Sequence, residues 1–596
     1  MIDAVPPPAD AVPPRRGRAL DLVVAVAVAL ILSTCWAIND WAQLSHLLLP
    51  DTDDMVRLAQ VRDWLGGQAI NDWTQYRIAP PAGAPMHWSR VNDIGIAGLI
   101  MAATPLVGRA QAELFAVLAY PALLFAAALF LSARIARRLW GAEAGPVAAV
   151  LAALAYPGTT VFVPGRIDHH ALQVVLIQIV VLALTCPPRV REGAIAGVAT
   201  ALSLAVGLET APQVAATIAV LALLWIARGD AERGRLAGFA GALGLITAGF
   251  VLFLHPTLWS PAYCDAFTPA SSTGTLLAAG AFGLLAMFSR RLVSWPARLA
   301  AGGALGAVVL GTTAVLYPSC VHGPYGVVDP FLLRAVIANT DEANGLFWHW
   351  RIERVLGIGG VVAMGCATLS WAIARGRASV AMLPVGTVVV ISALVMLAQV
   401  RGAYIGAPLA APVVAGLVVL ARQRTRWRVP AVIVAWLAGA GMAWASAGQQ
   451  VQRAVAPAAP GDRAGATVQP FACRAGDTWA QVDRLPKGVI MAGNMLAADI
   501  VGATHHATVG AGYHRNNTGE MAMYRFFLSD PDRARNIGAQ WKMDYVAFCP
   551  GDFGEIGVTR AYPASLAARL QRGEAPGWLV PVPLTDTPLR FYRVVR

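Results

Sequence analysis

Long apolar segments, separated by short polar loops, constrain this chain more than any other feature of its sequence. About thirteen of them are long enough, or nearly long enough, to cross the hydrocarbon core of a bilayer. Only 13% of the residues are charged, against about 25% in a typical soluble domain. We therefore predict a polytopic α-helical membrane protein. The segments cover roughly residues 19–37, 112–136, 144–163, 171–187, 193–208, 210–227, 237–255, 274–288, 297–317, 356–374, 379–399, 403–421 and 428–447.

Arginine clusters predict how the chain is oriented in the membrane. Arg15, Arg16 and Arg18 precede the first apolar segment, which predicts an uncleaved anchor with its N-terminus in the cytoplasm. Each later cluster then falls in a loop after an even-numbered segment, as the positive-inside rule requires. The net charge of +12 is thus a topological signal, and we expect no nucleic-acid partner. The later clusters are Arg134/Arg137/Arg138, Arg189/Arg191, Arg228/Arg233/Arg235, Arg290/Arg291/Arg298, Arg375/Arg377 and Arg422/Arg424/Arg426/Arg428.

An odd number of spans places the C-terminal region on the outer face. We therefore expect a multi-pass protein of the bacterial inner membrane with a periplasmic C-terminal domain. Short mixed patterns near the end of the chain predict a small α/β domain, and an Ala-, Pro- and Gly-rich stretch before it is typical of a linker. The predicted parts are a cytoplasmic segment 1–18, a membrane domain 19–447 with external loops 38–111 and 318–355, a linker 448–470 and an external domain 471–596.

Four cysteines fall in the regions predicted to be external. Cys264 and Cys320 lie near the ends of apolar segments, and Cys473 and Cys549 lie in the C-terminal domain. An oxidising periplasm would allow two disulfides, 264–320 and 473–549. Four unpaired thiols are the alternative.

Three carboxylates stand close together at the start of the first external loop. They belong to Asp51, Asp53 and Asp54, and Arg57 follows them. Such carboxylates repel one another unless a proton or a cation relieves them, and a divalent metal would do so. A solvated acidic loop is the alternative.

The stretch Gly165-Arg166-Ile167-Asp168-His169-His170 lies between two apolar segments on the same outer side. Asp168 and His170 can present an oxygen and an imidazole nitrogen to a divalent cation. A solvated loop, with Asp168 capping the next helix, is the alternative. Because both acidic stretches are external and close to the membrane, we expect them to share one metal site.

Other polar residues on the outer side complete the candidate set. Arg401 is an isolated arginine between two apolar segments; it could hold a phosphate or extend to lipid headgroups. Glu342 lies in the loop 318–355, and Glu209 lies near the outer end of a segment. The polar stretch 513–517 of the C-terminal domain favours a surface loop, with contact to an acceptor as the other possibility.

The order of these motifs resembles the catalytic subunit of single-subunit bacterial and archaeal oligosaccharyltransferases. That family has the GT-C membrane fold with thirteen spans and an external C-terminal domain. Asp53, followed by Arg62-Asp63 and Gly66-Gly67, resembles its first-loop motif, and Asp168-His169-His170 resembles the archaeal spelling of its second motif. Arg401, followed by Pro408, resembles the family's late arginine, which contacts the phosphates of the donor. Asp341-Glu342 resembles part of a mobile external loop that carries an acid close to the metal.

The resemblance does not extend to the motif with which the family reads its peptide acceptor. That motif is Trp-Trp-Asp, whereas the corresponding strand here contains Ala492, Gly493 and Asn494. The resemblance therefore favours an acceptor other than a peptide sequon.

The expected function is transfer of a sugar or oligosaccharide from a polyprenyl-(di)phosphate donor to a protein, lipid or polysaccharide acceptor on the periplasmic face. A transporter or flippase of lipid-linked glycan is the alternative; it should show paired repeats and broken helices at mid-membrane, and no internal repeat is evident. Mn²⁺ or Mg²⁺ suits these ligands, and one imidazole favours Mn²⁺. The assigned residues are Asp53, Asp168 and His170 as metal ligands, Glu342 as a fourth, Asp53 or Asp54 as proton acceptor, Arg401 for phosphate, and Arg57, His169, Glu209 and Asn494 as accessory candidates.

Overall fold

A computed structural model describes residues 15–260, 263–424, 426–455 and 473–595. The part before residue 456 is helical apart from one short hairpin, and it contains the predicted membrane domain. Its helices are α1 (Arg15–Asn39), α2 (Trp41–Leu44), α3 (Thr52–Leu65), α4 (Arg90–Val107), α5 (Arg109–Trp140), α6 (Ala144–Ala153), α7 (His170–Thr185), α8 (Val190–Val206), α9 (Ala211–Arg228), α10 (Arg233–Gly249), α11 (Pro269–Phe288), α12 (Trp295–Leu316), α13 (Pro330–Ala335), α14 (Ile352–Ala374), α15 (Met382–Ala398), α16 (Gly402–Arg422), α17 (Arg428–Gly439) and α18 (Gly441–Val455).

Within the described ranges, eight helices are long and apolar enough to cross a membrane, or nine if α17 and α18, bent by 82°, count as one span. Each of the thirteen predicted segments falls on a helix, but several helices are short: α6 has 10 residues, α7 has 16 and α15 has 17. Sixteen helical residues rise about 24 Å, less than the ~30 Å hydrocarbon core. In addition, α9 and α10 join in one 44-residue helical stretch. Helix α4, predicted to be part of an external loop, passes the same test.

Helix α16 is the centre of the membrane domain, and 83% of its most apolar 18 residues are buried. It packs against α5, α6, α14 and α15. Pro412 has no N–H to donate to the Pro408 carbonyl, and Ser132 Oγ donates to that carbonyl instead at 3.5 Å. Because α16 is held on all sides, Arg401, which immediately precedes it, has a fixed position at its end.

The arginine loops meet at one end of the bundle. Arg138, at the end of α5, contacts Cys186 Sγ at 3.5 Å, and Arg235 donates to the Leu184 carbonyl at 3.0 Å. Arg298 donates to the Ile226 carbonyl at 2.7 Å. These bonds connect the loops that follow α5, α7, α9 and α11, as expected of loops on one side of a membrane.

The C-terminal domain is a mixed α/β unit, as predicted. Its five-stranded sheet has the order β4-β3-β5-β7-β6, or by range 507–508, 489–491, 545–548, 590–594 and 579–581. Strand β3 is parallel to β4 and β5, and the remaining pairs are antiparallel. Its elements are α19 (Gly476–Val482), β3 (Val489–Met491), α20 (Asn494–Ala503), β4 (Ala507–Thr508), α21 (Asn517–Leu528), α22 (Pro531–Gln540), β5 (Tyr545–Phe548), α23 (Val558–Ala561), α24 (Leu566–Arg572), β6 (Leu579–Pro581) and β7 (Arg590–Val594).

Main-chain hydrogen bonds join this domain to the loop between α1 and α5. That loop contains a hairpin of β1 (Thr74–Gln75) and β2 (Ala84–Pro85). The Thr508 amide donates to the Arg77 carbonyl at 2.7 Å, and the Ala79 amide donates to the Thr508 carbonyl at 2.8 Å. Ile78 therefore pairs in parallel with Thr508, on the open edge of the sheet. Helix α20 also packs on α3, where Arg62 donates to the Gly502 carbonyl at 2.5 Å.

Both predicted disulfides, Cys264–Cys320 and Cys473–Cys549, are present, which confirms this pairing. The predicted linker 448–470 begins within α18, and residues 456–472 lie outside the described ranges. Of the predicted N-terminal segment 1–18, the described part begins at Arg15, inside α1.

Candidate active site

The acidic stretch 51–54 forms the start of helix α3. Asp51 is the N-cap, and its carboxylate accepts a hydrogen bond from the Asp53 amide at 3.3 Å. Asp53 and Asp54 lie in the first turn, where free amides and the helix dipole favour negative charge. The stretch is therefore an ordered helix start and not a solvated loop.

Asp54 joins the two acidic motifs directly. Its side chain is fully buried, and Oδ1 accepts a hydrogen bond from the Asp168 amide at 2.8 Å. Arg166 Nη1 lies 3.4 Å from Asp54 Oδ2 and also pairs with Asp51. Burial raises the pKa of Asp54 to about 7, because it outweighs the attraction of Arg166. The two acidic stretches are therefore in contact, and the metal site that we expect them to share stays a prediction.

Asp168, His169 and His170 are buried and bring their ligand atoms within 4.8 Å of one another. Asp168 Oδ1 lies 2.5 Å from His169 Nδ1, and Oδ2 lies 2.5 Å from His170 Nδ1. Helix α7 begins at His170, and His169 is its N-cap residue, so Asp168 does not cap the helix. The buried Nε2 of His170 has no hydrogen-bond partner in the described part of the chain, which leaves it available to a ligand.

Two accessory candidates support this group. His169 Nε2 lies 3.3 Å from Glu209 Oε1. The fully buried Arg57 donates to Asp168 Oδ1 at 3.2 Å and to Asp93 Oδ1 at 2.9 Å. Its guanidinium lies 4.5 Å from the centre of the Trp88 ring. Arg57 therefore balances the charge of two buried carboxylates.

Asp53 faces other acids. Desolvation raises its pKa well above the usual value, and the charges of Asp168, Asp51 and Glu342 raise it further. Asp53 does not belong to the compact group of Asp168, His169 and His170, although it lies close enough to feel their charge. Hard carboxylate oxygens with an imidazole suit Mg²⁺ or Mn²⁺, so the donor set fits the expected metal.

Glu342 and Arg401 form a pair on the His170 side of the group. Their side chains are joined by a short salt bridge, and the Tyr404 hydroxyl lies 3.5 Å from Glu342 Oε2. The Tyr404 ring stands edge-on to His170, with centroids 5.7 Å apart. Burial alone would raise the pKa of Glu342, but Arg401 and His170 outweigh it and lower the pKa. Glu342 is therefore an anion that faces the histidines.

Asn494 is another predicted residue that the described contacts do not bring to this group. It begins α20 inside the C-terminal domain, beside Gly512 and Glu520. Burial raises the pKa of Glu520 to about 7.

Two aromatic residues lie beside the site; sequence reasoning missed Trp88 and favoured a surface loop for the stretch that contains Tyr513. Trp88 is buried, and its ring centroid lies 6.3 Å from that of His169. Tyr513 stands edge-on to Trp88 at 5.3 Å and donates to the Thr52 carbonyl at 3.2 Å. The stretch 513–517 is thus largely buried against the membrane domain and is not the surface loop that its polarity favoured. Its mixture of Tyr, His, Arg and Asn was the signal available.

The chain resembles solved structures of an oligosaccharyltransferase in fold. The complex of Archaeoglobus fulgidus AglB with an inhibitory peptide and a dolichol-phosphate has a TM-score of 0.65 and 14% identity, over 97% of this chain and 74% of AglB. For the A. fulgidus enzyme tethered with an acceptor peptide containing the NVT sequon, the TM-score is 0.66 and the identity is 14%, over 98% of this chain and 74% of that enzyme. For its complex with Zn and sulfate, the TM-score is 0.58 and the identity is 13%, over 88% of this chain and 67% of that enzyme. No protein-family model and no curated protein sequence matches the chain. At this identity the likeness shows the fold alone, which the chain shares with these oligosaccharyltransferase structures.

Proposed function

We propose that this protein is a metal-dependent glycosyltransferase that moves a sugar or oligosaccharide from a polyprenyl-(di)phosphate donor to an acceptor. One observation carries the proposal: acids, imidazoles and an arginine from distant parts of the chain converge where the membrane helices meet the C-terminal domain. From sequence alone, each acidic stretch could have been a solvated loop. A buried cluster of Asp168, His169 and His170 beside Asp53, however, is costly to desolvate without a ligand.

Asp53, Asp168 and His170 would hold the metal, with Glu342 close by. When bound, Mn²⁺ or Mg²⁺ would neutralise the charge that develops on the phosphate oxygens of the leaving group. Asp54 holds the main chain of Asp168, and Arg57 holds its carboxylate. These two residues therefore orient the donor set before any substrate arrives.

Arg401 would bind the donor phosphate. Its guanidinium is engaged by Glu342, and the planar fork that fits a carboxylate also fits a phosphate. The donor phosphate would replace part of the contact with Glu342. Arg401 would stay in place because it directly precedes the buried helix α16. Tyr404 lies within reach of the same carboxylate and would steady Glu342 during the exchange.

A hydroxyl acceptor needs a group that takes its proton. Asp54 is occupied by the Asp168 amide, so we assign this role to the neighbouring Asp53, through the carboxylate oxygen that would not bind the metal. The new bond would form between the acceptor oxygen and the anomeric carbon as the bond to phosphate breaks. The proposed acceptor is a protein, or a hydroxyl of a lipid or polysaccharide, and the lack of Trp-Trp-Asp in the sequence favours an acceptor other than a peptide sequon.

We further propose thirteen spans, with the N-terminus in the cytoplasm of a bacterium and the C-terminal domain in the periplasm. The clustering of the arginine loops at one end supports this orientation. The two disulfides lie with the candidate site and the C-terminal domain, where an oxidising compartment would maintain them.

The test is transfer of labelled glycan from native lipid-linked donors in membranes. Asp168→Asn should abolish transfer, whereas Glu574→Gln, an exposed acid in the C-terminal domain, should leave it unchanged. Full activity of Asp168→Asn would refute the proposal. If labelled glycan crossed the bilayer without being transferred, the alternative of a transporter would replace it.

A further inference from the structure

A second cluster of metal-ligating side chains lies next to the candidate active site. His87, Asp265 and His514 bring one ligand atom each within 4.8 Å of one another. The three residues come from the loop before α4, the loop before α11 and the C-terminal domain. Nothing in the local sequence joins them, so only the folded chain creates the cluster.

Asp265 is held firmly at the centre. It is 7% exposed, and Arg515 donates to its two oxygens at 2.5 and 3.0 Å. His514 Nε2 contacts Oδ2 of the same carboxylate. The adjacent Cys264 is bonded to Cys320, which limits movement of this loop.

The hydrogen bonds from Arg515 leave lone pairs of the Asp265 carboxylate available to a metal. A carboxylate offers about four lone-pair positions, and Arg515 takes one on each oxygen. Hydrogen bonds to a ligating carboxylate are the usual support of a metal site. The positive charge of Arg515 does predict weaker binding than at a fully anionic site.

The imidazole nitrogens of His87 are available to a ligand. Its ring lies 4.9 Å from that of His514, centroid to centroid. Within the described ranges, its side chain makes no hydrogen bond. His87 is partly exposed, so a ring nitrogen is open to a cation that it would share with His514.

We propose that His87, Asp265 and His514 bind a divalent metal that prefers nitrogen ligands, of the Zn²⁺ class, at a site separate from that of Asp168. Two imidazoles and one carboxylate are a frequent zinc donor set, with the fourth position left to water. The group around Asp168 faces several more carboxylates and suits a harder ion.

The location gives this metal a structural consequence. Trp88 and Tyr513, the chain neighbours of His87 and His514, contact each other beside His169. A metal held by His87 and His514 would therefore fix the aromatic wall of the candidate active site. It would also attach the C-terminal domain to the membrane domain through Asp265.

The experiment measures zinc on the full-length protein in detergent after chelator treatment and reloading with Zn²⁺ alone. The wild-type chain should hold one zinc more than His87→Gln, a variant that breaks no described hydrogen bond. Asp168→Asn should keep that zinc. Co²⁺ loading should give a visible d–d spectrum that His87→Gln lacks.

Thermal unfolding separates binding from folding. Without metal, His87→Gln and wild type should unfold at the same temperature, and Zn²⁺ should raise the midpoint of wild type more than that of His87→Gln. The proposal is overturned if His87→Gln binds as much zinc as wild type, or if zinc is lost in Asp168→Asn instead. Neither readout depends on transfer activity.

Discussion

Replacing Asp54 distinguishes a positioning role from a catalytic one. The buried Oδ1 of Asp54 accepts a 2.8 Å hydrogen bond from the Asp168 amide. Asparagine keeps an acceptor at that position, and because the pKa of Asp54 is about 7, the native side chain is already partly neutral at that pH. Asp54→Asn should therefore retain most of the transfer activity, whereas Asp54→Ala leaves the Asp168 amide unpaired in the interior.

The size of the loss follows from that orphaned amide. Leaving a buried donor unsatisfied costs about 1–3 kcal/mol. If this cost falls on the reactive arrangement, the rate drops by roughly 5- to 150-fold, since about 1.4 kcal/mol is a factor of ten. The assay compares initial rates of glycan transfer for both variants, with thermal unfolding as the control for folding. If Asp54→Asn lost as much activity as Asp54→Ala, Asp54 would be the proton acceptor and the positioning role would be refuted.

Three other predictions concern charge. Arg57→Met removes a buried partner of Asp93 and Asp168, although Arg90 and the two histidines still contact them, and it should lower the free energy of unfolding by about 1.5–3 kcal/mol, the value of a hydrogen bond to a charged group; an unchanged denaturation midpoint would contradict this role. Arg401→Ala should raise the KM for the lipid-linked donor by roughly 10- to 150-fold, the equivalent of about 1.5–3 kcal/mol for a charged hydrogen bond, while Arg401→Lys loses less; equal KM values would rule out phosphate binding. EDTA should abolish transfer, and Mn²⁺ or Mg²⁺ should restore it; chelator-insensitive transfer would exclude the metal.

The sequence predicted the parts of the fold that have strong local signals. Apolar length placed a helix in each predicted segment, and compartment and position sufficed for the two disulfides. The lengths of individual helices were less accessible, because a short helix such as α6 can continue into irregular structure that is equally apolar. Hydropathy alone does not distinguish the two.

Some residues of the candidate site could be predicted from sequence, and others could not. The contact between the stretches 51–54 and 168–170 could be predicted from sequence, because both follow apolar segments on one predicted side of the membrane. Trp88, Tyr513 and the second cluster could not, since their contacts depend on how the C-terminal domain docks. Asp265 and His514, for example, are 249 positions apart. No period or spacing encodes such a contact.

The pairing of Ile78 with Thr508 has a consequence for how the soluble part can be handled. Strand β4 is the edge of the sheet, and the membrane domain covers it with its own backbone. A fragment that began near residue 473 would leave this edge bare, and bare edges recruit strands from other copies. Expressed alone, the domain should self-associate, and a soluble form is best obtained by fusing residues 74–85 to it.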